Sequence, residues 1–403
     1  MISAEARPYI DASVPVLREH GLAITRLFYR NLFNEYPELN NIFNMGNQAN
    51  GSQQQSLASA VFAYAANIDN PAALAPVISR IVHKHVSLGI RPSHYPIVGE
   101  HLLQAIQHTL GDAATPPLLS AWAEAYGLLA QALIDEEHRL YRQSGTEPGS
   151  LFDMRVTAVQ KQSALVSSFT LVRADGGAVP NFVPGQYVSV AVSLPGGLRQ
   201  LRQYSLSDAP GKSHMRISVK REPAGAETPA GMVSNWLHDN LVVGSILPVS
   251  TPCGDFAPAA GSGAVVLLSA GVGITPMISA LNHIAATNPQ RQVIFAHAAR
   301  DMLHHAHRAD IARAREVMPN LRTVAFYEDA AAFAADDAPP AEIIAGLMDT
   351  DKLAAWPLAD THVYLCGPIK FMQAQWLSLI KRGVLPTRLH REVFGPDMLD
   401  HLL

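Results

Sequence analysis

The chain has 403 residues, 48% of them hydrophobic, with 34 Asp and Glu against 30 Lys and Arg and a net charge of -4. That length exceeds what one ordinary core holds, so two or three domains are expected. The near-neutral balance excludes a strongly basic face for nucleic acid or anionic membrane.

Residues 1–14 mix Glu5, Arg7, Pro8 and Asp11 with small side chains and lack the apolar stretch of a signal peptide. Helix-period patterns continue to about Tyr141, with almost no alternating strands. Residues 142–150 are polar, contain Gly and Pro, and read as a linker. From Met154 the period changes. Val188, Val190, Val192 and Leu194 alternate with Ser189, Ala191 and Ser193, the pattern of a half-buried antiparallel strand. Residues 216–220 repeat it, and a small β-barrel follows. After 259–263, continuous apolar runs at 264–268, 293–296 and 362–365 alternate with helical stretches, the signature of a parallel sheet covered on both faces. Residues 330–341 read as an exposed loop. No run is long enough to span a bilayer. Cys253 and Cys366 are widely separated and imply no disulfide framework. The expectation is a soluble cytoplasmic protein.

In the helical third, His85 shares a helix face with Ile78, Ile81, Val82 and Leu88, whereas His83 lies with Ser79 and Arg80. An inward imidazole is either a satisfied core residue or a metal ligand. Glu137 falls on the apolar face with Tyr126, Ala130, Leu133, Ile134, Leu140 and Tyr141, while Glu136 falls beside Arg139. A carboxylate on an apolar stripe needs a partner. A metal-binding imidazole commonly gives its second N–H to a carboxylate. The two residues therefore account for each other.

The rest of the chain carries short motifs in a fixed order. Pro184-Gly185-Gln186-Tyr187 is followed by Arg202-Gln203-Tyr204-Ser205, Gly231-Met232-Val233-Ser234 and Gly271-Val272-Gly273-Ile274-Thr275-Pro276. Cys366-Gly367-Pro368 and Glu392-Val393-Phe394-Gly395-Pro396 come last. The Gly271–Gly273 turn follows a buried strand and precedes a helix expected from near Pro276. Such a turn lets backbone N–H groups approach a pyrophosphate, although Pro276 stands where the usual dinucleotide fingerprint has Gly. Singly, the turn is equally a tight turn, Tyr204 and Phe394 core aromatics, and Cys366 an ordinary strand residue. Jointly they supply the aromatic walls and small residues that hydride transfer between two stacked rings requires.

From about residue 152 these motifs resemble the ferredoxin–NADP reductase family. The resemblance implies one FAD held by Tyr187, Arg202, Gln203, Tyr204, Ser205, Val393, Phe394, Gly395 and Pro396. Arg202 would meet a phosphate, Tyr204 pack on the isoalloxazine, and Ser205 hydrogen-bond near its reactive nitrogen. The Gly231–Ser234 helix start would face the pyrophosphate. NAD(P)H would dock on Gly271, Val272, Gly273, Ile274, Thr275 and Pro276, with Cys366 and Gly367 beside the reacting carbon and Phe394 covering the flavin.

Phe28-Tyr29, Pro37-Glu38-Leu39, Phe43-Asn44-Met45, Gln53 with Leu57 one turn later, Lys84-His85, Tyr95 and residues 98–103 resemble the globin domain of bacterial flavohaemoglobins. Together the two resemblances cover nearly the whole chain. They imply an all-α globin domain over 1–141, a linker over 142–151, an antiparallel β-barrel FAD domain over 152–260, and an α/β parallel-sheet NAD(P)-binding domain over 264–403. They further imply one haem b, with His85 as its metal ligand. Tyr29, Gln53 and Leu57 would form the distal pocket, Phe43 stack on the porphyrin, and Tyr95 and Glu137 form a relay behind His85. Lys84 and Glu392 would tune the haem and flavin potentials.

The implied activity is nitric oxide dioxygenation, turning NO and O2 into nitrate with electrons from NAD(P)H. Lipid is a further candidate occupant of the distal pocket; nucleic acid and integral membrane association are not implied. Three alternatives stay open: a haem–flavin hydroperoxide reductase, an O2 or NO sensor with a maintenance reductase, and a flavoreductase whose helical domain only binds partners. Two departures stand out. Pro148-Gly149-Ser150-Leu151-Phe152 occupies the place of a Gly-Gly-Trp-like entry, and Arg391 the place of an aromatic residue. Arg300 and Arg308, after the 293–297 strand, leave NADH and NADPH both open.

Overall fold

The computed structural model describes residues 2–43, 46, 48, 50–225, 228–329, 342–353, 355 and 360–395. Asn44, Met45, Pro396 and the expected loop at 330–341 lie outside the described residues. The chain forms two compact units. One is built from the chain up to Leu151 together with Ser193–Arg202 and Gly395; the other from Phe152–Val192 and Gln203–Phe394.

The first unit is helical: α1 (Arg7–Glu35), α2 (Ser52–Ala66), α3 (Pro71–Leu88), α4 (His94–Leu110) and α5 (Pro116–Ser144). Local chemistry bounds the helices that carry the candidate residues. Asn70 caps α3 by accepting from Ala73 N, Pro71 opens it, and Gly89 at φ 74° closes it. Thr115, Pro116 and Gly145 at φ 64° do the same for α5. α5 therefore runs through Ser144 and takes the first three residues of the segment read as a linker, because the first residue able to turn left-handed is Gly145. The core of the unit is apolar and joins Ile10, Ile24, Phe28 and Leu32 of α1 to Ala105 and Ile106 of α4 and Ala121, Trp122 and Ala125 of α5.

Two sheets follow the helices. Strands β1 (Phe152–Lys161), β2 (Val166–Arg173), β3 (Tyr187–Ser193), β4 (Arg199–Ser205), β5 (Met215–Lys220) and, after helix α6 (Met232–Asn240), β6 (Ile246–Val249) pair in the order β4-β3-β6-β1-β2-β5. The β1–β2, β1–β6, β2–β5 and β3–β6 ladders are antiparallel. Leu206, just past β4, bridges Ile217 of β5, and Ser207 N donates to Arg216 O at 2.8 Å, so the two ends of the order meet and the sheet curls closed. Closure corrects one expectation. β3 and β5 are buried on both faces rather than half-buried: Ser189, Ala191, Arg216 and Ser218 are all interior.

Then come β7 (Val265–Ala270), α7 (Ile274–Thr287), β8 (Val293–Ala299), α8 (Arg308–Val317), β9 (Leu321–Tyr327), β10 (Glu342–Ala345), β11 (His362–Cys366), α9 (Ile369–Lys381) and β12 (Leu389–Glu392). Their order is β10-β9-β8-β7-β11-β12, every pair parallel. The chain steps outward from β7 to β10, then returns to the other side of β7 at β11. Parallel α/β sheets bind ligands at such a reversal, outside the carboxyl ends of the strands. α7 starts at Ile274, two residues ahead of the expected Pro276, because Gly271–Gly273 already forms a helical turn. Among the described residues no helix is long and apolar enough to cross a membrane.

Gly185 shows how tightly the barrel is specified. Its φ is +92°, and a Cβ there would stand 1.7 Å from the Phe256 carbonyl oxygen. Gly185→Ala is expected to destabilise the protein by about 2–4 kcal/mol through left-handed strain and overpacking, read as a lower midpoint in chemical denaturation.

Candidate functional site

Three helices converge on one buried carboxylate in the first unit. α3 brings His85, α4 brings Tyr95 and α5 brings Glu137, which is 1% exposed. His85 Nδ1 lies 2.8 Å from Glu137 Oε1 and 3.0 Å from Tyr95 Oη, and the Tyr95 hydroxyl donates to the same carboxylate oxygen. Burial first, then the Glu137 hydrogen bond and charge, push the Tyr95 phenol far up, so it remains a donor. With Nδ1 turned to a carboxylate, Nε2 is the nitrogen left to meet a ligand, and it makes no hydrogen bond among the described residues. Tyr126 supports the arrangement by donating to Tyr95 O at 2.6 Å. Gly99 makes room for that ring, since a Cβ there would meet Tyr126 Cε1 at 2.5 Å. Outside this group, Glu136 pairs with Arg139 at 2.7 Å.

Tyr29 of α1 is buried, and burial pushes its phenol up to about 12, with the hydrogen bond from Gln53 acting in the opposite direction. Gln53 Nε2 of α2 donates to the phenol oxygen at 3.2 Å. The phenol proton itself makes no bond to a described residue and stays available. Tyr29 stacks with Phe33, with ring centroids 5.7 Å apart and planes 20° apart, and meets Phe43 edge-on at 5.8 Å. Leu57, one turn past Gln53, packs half-buried against the same core. Val61, Ile78 and Ile81 on α2 and α3 are also only half-buried. An apolar, flat group with an iron at its centre fits these residues: half-covered aliphatic and aromatic side chains, an imidazole nitrogen to spare, and a phenol proton to spare. Sequence reasoning missed Phe33 and the support from Tyr126; a helical face names side chains but not their partners across helices. Lys84, next to His85, donates to Gly395 O at 3.0 Å.

In the second unit the carboxyl ends of β7, β11 and β12 lie side by side, with Cys366 opposite Ser269 on one side and Glu392 on the other. At the reversal, a Cβ on Gly273 would meet Cys366 O at 2.4 Å, and one on Gly367 would meet Ala270 N at 3.1 Å. Only hydrogen at both positions lets the turn and the strand end touch. Gly271, with φ 54° and open space around it, and Val272 form the accessible part of the turn. Ile274, Thr275 and Pro276 are buried, and Thr275 Oγ1 donates back to Val272 O at 3.0 Å, so what these residues can present to a ligand is backbone. Val393 is half-buried after β12, and Phe394 is 46% exposed, an aromatic surface fit to cover another ring. Ser205 is buried at the end of β4, with Arg202, Gln203 and Tyr204 half-buried along it, and Tyr187, likewise half-buried, opens β3. Gly231 stands at the cap position before α6, and its carbonyl accepts from Ser234 Oγ at 3.2 Å.

With these positions established, comparison with known proteins is direct. Residues 26–133 match the globin family, 153–257 the oxidoreductase FAD-binding domain and 267–376 the oxidoreductase NAD-binding domain. The flavohemoprotein of Bordetella parapertussis is 49% identical over 98% of this chain and 99% of its own. The chain belongs to the flavohemoprotein family. The flavohemoprotein of Rhizobium meliloti is 45% identical over 99% of both chains. The crystal structure of a Malassezia yamatoensis flavohemoglobin with bound FAD and heme aligns with a TM-score of 0.85 at 28% identity, covering 98% of this chain and all of that one. The FAD/NAD-binding domain of a nitric oxide dioxygenase from Vibrio cholerae aligns at 39% identity and a TM-score of 0.55, covering 61% of this chain and 99% of that one. As a family member the chain is an oxidoreductase that joins a globin to an FAD- and NAD-binding reductase.

Both thiols are sealed. Burial pushes Cys253 up to about 12, and burial followed by the Glu392 charge pushes Cys366 well above the usual thiol range. Neither forms appreciable thiolate at pH 8. The folded protein should resist a disulfide reagent at pH 8, with both thiols reacting only after denaturant is added.

Proposed function

We propose that the protein is a nitric oxide dioxygenase, drawing electrons from NAD(P)H to turn NO and O2 into nitrate. Haem b at His85 and FAD at the barrel supply, when bound, the oxygen-binding iron and the exchange of a hydride for single electrons. The protein residues provide the rest. The observation that carries the reading is the Tyr29 phenol, which accepts from Gln53 and keeps its own proton free in a buried apolar pocket.

A donor of this kind stabilises dioxygen as it takes on negative charge, by about 1.5–3 kcal/mol for a charge-assisted bond. That slows O2 loss by roughly tenfold to a hundredfold. Gln53 holds the phenol in place and is a second donor. Glu137, accepting from the Nδ1–H of His85, fixes the ring orientation and makes the imidazole a stronger donor at Nε2. That favours oxygen activation over storage. Tyr95 holds the same carboxylate from the other side. In the reductase, Tyr204 and Phe394 are the aromatic surfaces for the flavin, and Arg202 the cation for its phosphate. The Gly271–Gly273 turn offers amides to the nicotinamide cofactor's pyrophosphate at the α7 start. The Vibrio cholerae relative, named as a nitric oxide dioxygenase, supports the same reading.

Two variants test it. Tyr29→Phe should release O2 about tenfold to a hundredfold faster and slow NO consumption, with flavin reduction by NADH at the parent rate; equal O2 release would remove Tyr29 from the chemistry. His85→Ala should lose the Soret band after reconstitution with haemin while still reducing cytochrome c or ferricyanide with NADH. Nitrate formed one-for-one with NO consumed distinguishes the dioxygenase from a sensor, and the absence of peroxide-dependent NADH oxidation distinguishes it from a hydroperoxide reductase.

A further inference from the structure

The interior of the second unit holds a polar network that neither cofactor site accounts for. Asn282, in the middle of α7, donates through its single amide nitrogen to two carboxylates at once. Nδ2 lies 3.0 Å from Asp208 Oδ1 and 3.1 Å from Asp310 Oδ1. Asp208 belongs to the barrel half, three residues after β4 and the Arg202–Ser205 motif. Asp310 belongs to the parallel-sheet half, in the first turn of α8. Both carboxylates are interior.

Asp310 is paired across the junction, whereas Asp208 is paired within its own half, by Lys212 and by His214 Nε2 at 3.3 Å, and meets α7 through Asn282 and Ser279. Arg216 of β5 reaches Asp310 at 3.2 Å and donates to Ser207 O. His307 Nδ1 lies 2.9 Å from Asp310 Oδ2, and its Nε2 lies 2.9 Å from Ser218 Oγ of β5. Ser279, also on α7, donates to Asp208 O at 2.8 Å. Lys212 and Arg313 close the two outer sides, at 2.7 and 2.6 Å. Burial works to raise the Asp310 carboxyl, but the His307 hydrogen bond, the Arg216 charge and the Asn282 hydrogen bond outweigh it and hold it well below the carboxylate range. Burial lowers His307, which fits a neutral ring giving Nδ1–H to Asp310 and accepting at Nε2. His307 is also the single described non-glycine residue with positive φ, at 62°. A side chain is held in that conformation only where its surroundings over-determine it.

We propose that Asn282, with Asp208, Asp310 and His307, is a latch that positions α7 against the strand bearing Tyr204 and Ser205, and so sets the nicotinamide over the flavin. The inference rests on the reading that NAD(P)H reduces FAD in this unit. In that step the C4–H bond of the dihydronicotinamide breaks with its electron pair and a bond to flavin N5 forms, leaving a pyridinium and a reduced flavin. The rate depends steeply on the distance and angle between the rings. α7 begins at the nucleotide-binding turn and β4 carries the flavin motif, so a bridge between them sets that geometry without touching either ring. These are positioning residues.

The test compares Asn282→Ala with Asn282→Asp in the full-length holoprotein. Asp matches Asn in shape but puts a third carboxylate between two others. Both variants should reduce flavin at least tenfold more slowly at saturating NADH in anaerobic stopped flow, Asp no better than Ala, with nucleotide affinity within about threefold of the parent. In the cofactor-free chain, amide exchange at residues 207–209 and along α7 should quicken in both. Should either variant fail to fold, His307→Gly, which keeps the positive φ but removes the imidazole, should show the same slowing. Parent-like flavin reduction in Asn282→Asp or in His307→Gly overturns the latch, as does a loss confined to nucleotide affinity. A parent protein whose flavin is reduced by neither NADH nor NADPH overturns the reductase reading instead, and the exchange comparison then still decides whether Asn282 ties the two halves together.

Discussion

A carboxylate buried among helices cannot remain charged without donors, and the helical unit is organised around satisfying one. Glu137 receives the Tyr95 hydroxyl and faces His85 Nδ1 through the same oxygen. Three helices must therefore meet at fixed rotation and height, or the carboxylate is left uncompensated at a cost of several kcal/mol. Meeting that requirement leaves His85 oriented by Nδ1, with Nε2 exposed to whatever lies beside α3. The demand for charge compensation and the making of a metal-ready imidazole are one constraint.

The reductase site answers to a different constraint, close approach. The reversal between β7 and β11 brings a helical turn and a strand end within van der Waals range, and only residues without Cβ allow it. Cys366 lies beside them, and its burial keeps it a neutral thiol. A nucleotide can then lie along the carboxyl ends of the strands and be met by backbone N–H groups at the α7 start. Side chains of the turn are spent on packing, as Ile274, Thr275 and Pro276 show, so what the turn can present to a ligand is main chain.

Barrel closure adds a third constraint. Because Leu206 meets Ile217, both faces of β5 are covered, and Arg216 and Ser218 enter the interior instead of solvent. Their polarity demands partners, which α8 supplies through Asp310 and His307. A strand that alternates in sequence as though one face were wet is thus the strand that ties the barrel to the parallel sheet. The alternation was legible; what the polar half of it faced was not.

Periodicity, caps and turn chemistry were decided locally. The 3.6-residue face placed His85 and Glu137 inward, Pro71, Pro116, Gly89 and Gly145 bounded their helices, and small residues marked the close approach at the β7–β11 reversal. The order of the motifs pointed to the family. Only the tertiary structure decided which polar groups meet: Glu137 with His85 across 52 residues, Asn282 with Asp208 across 74, Ser218 with His307 across 89. A residue's preference for helix, strand or burial is a property of its neighbours in sequence, whereas a buried donor or acceptor finds its partner on whichever element the fold packs against it.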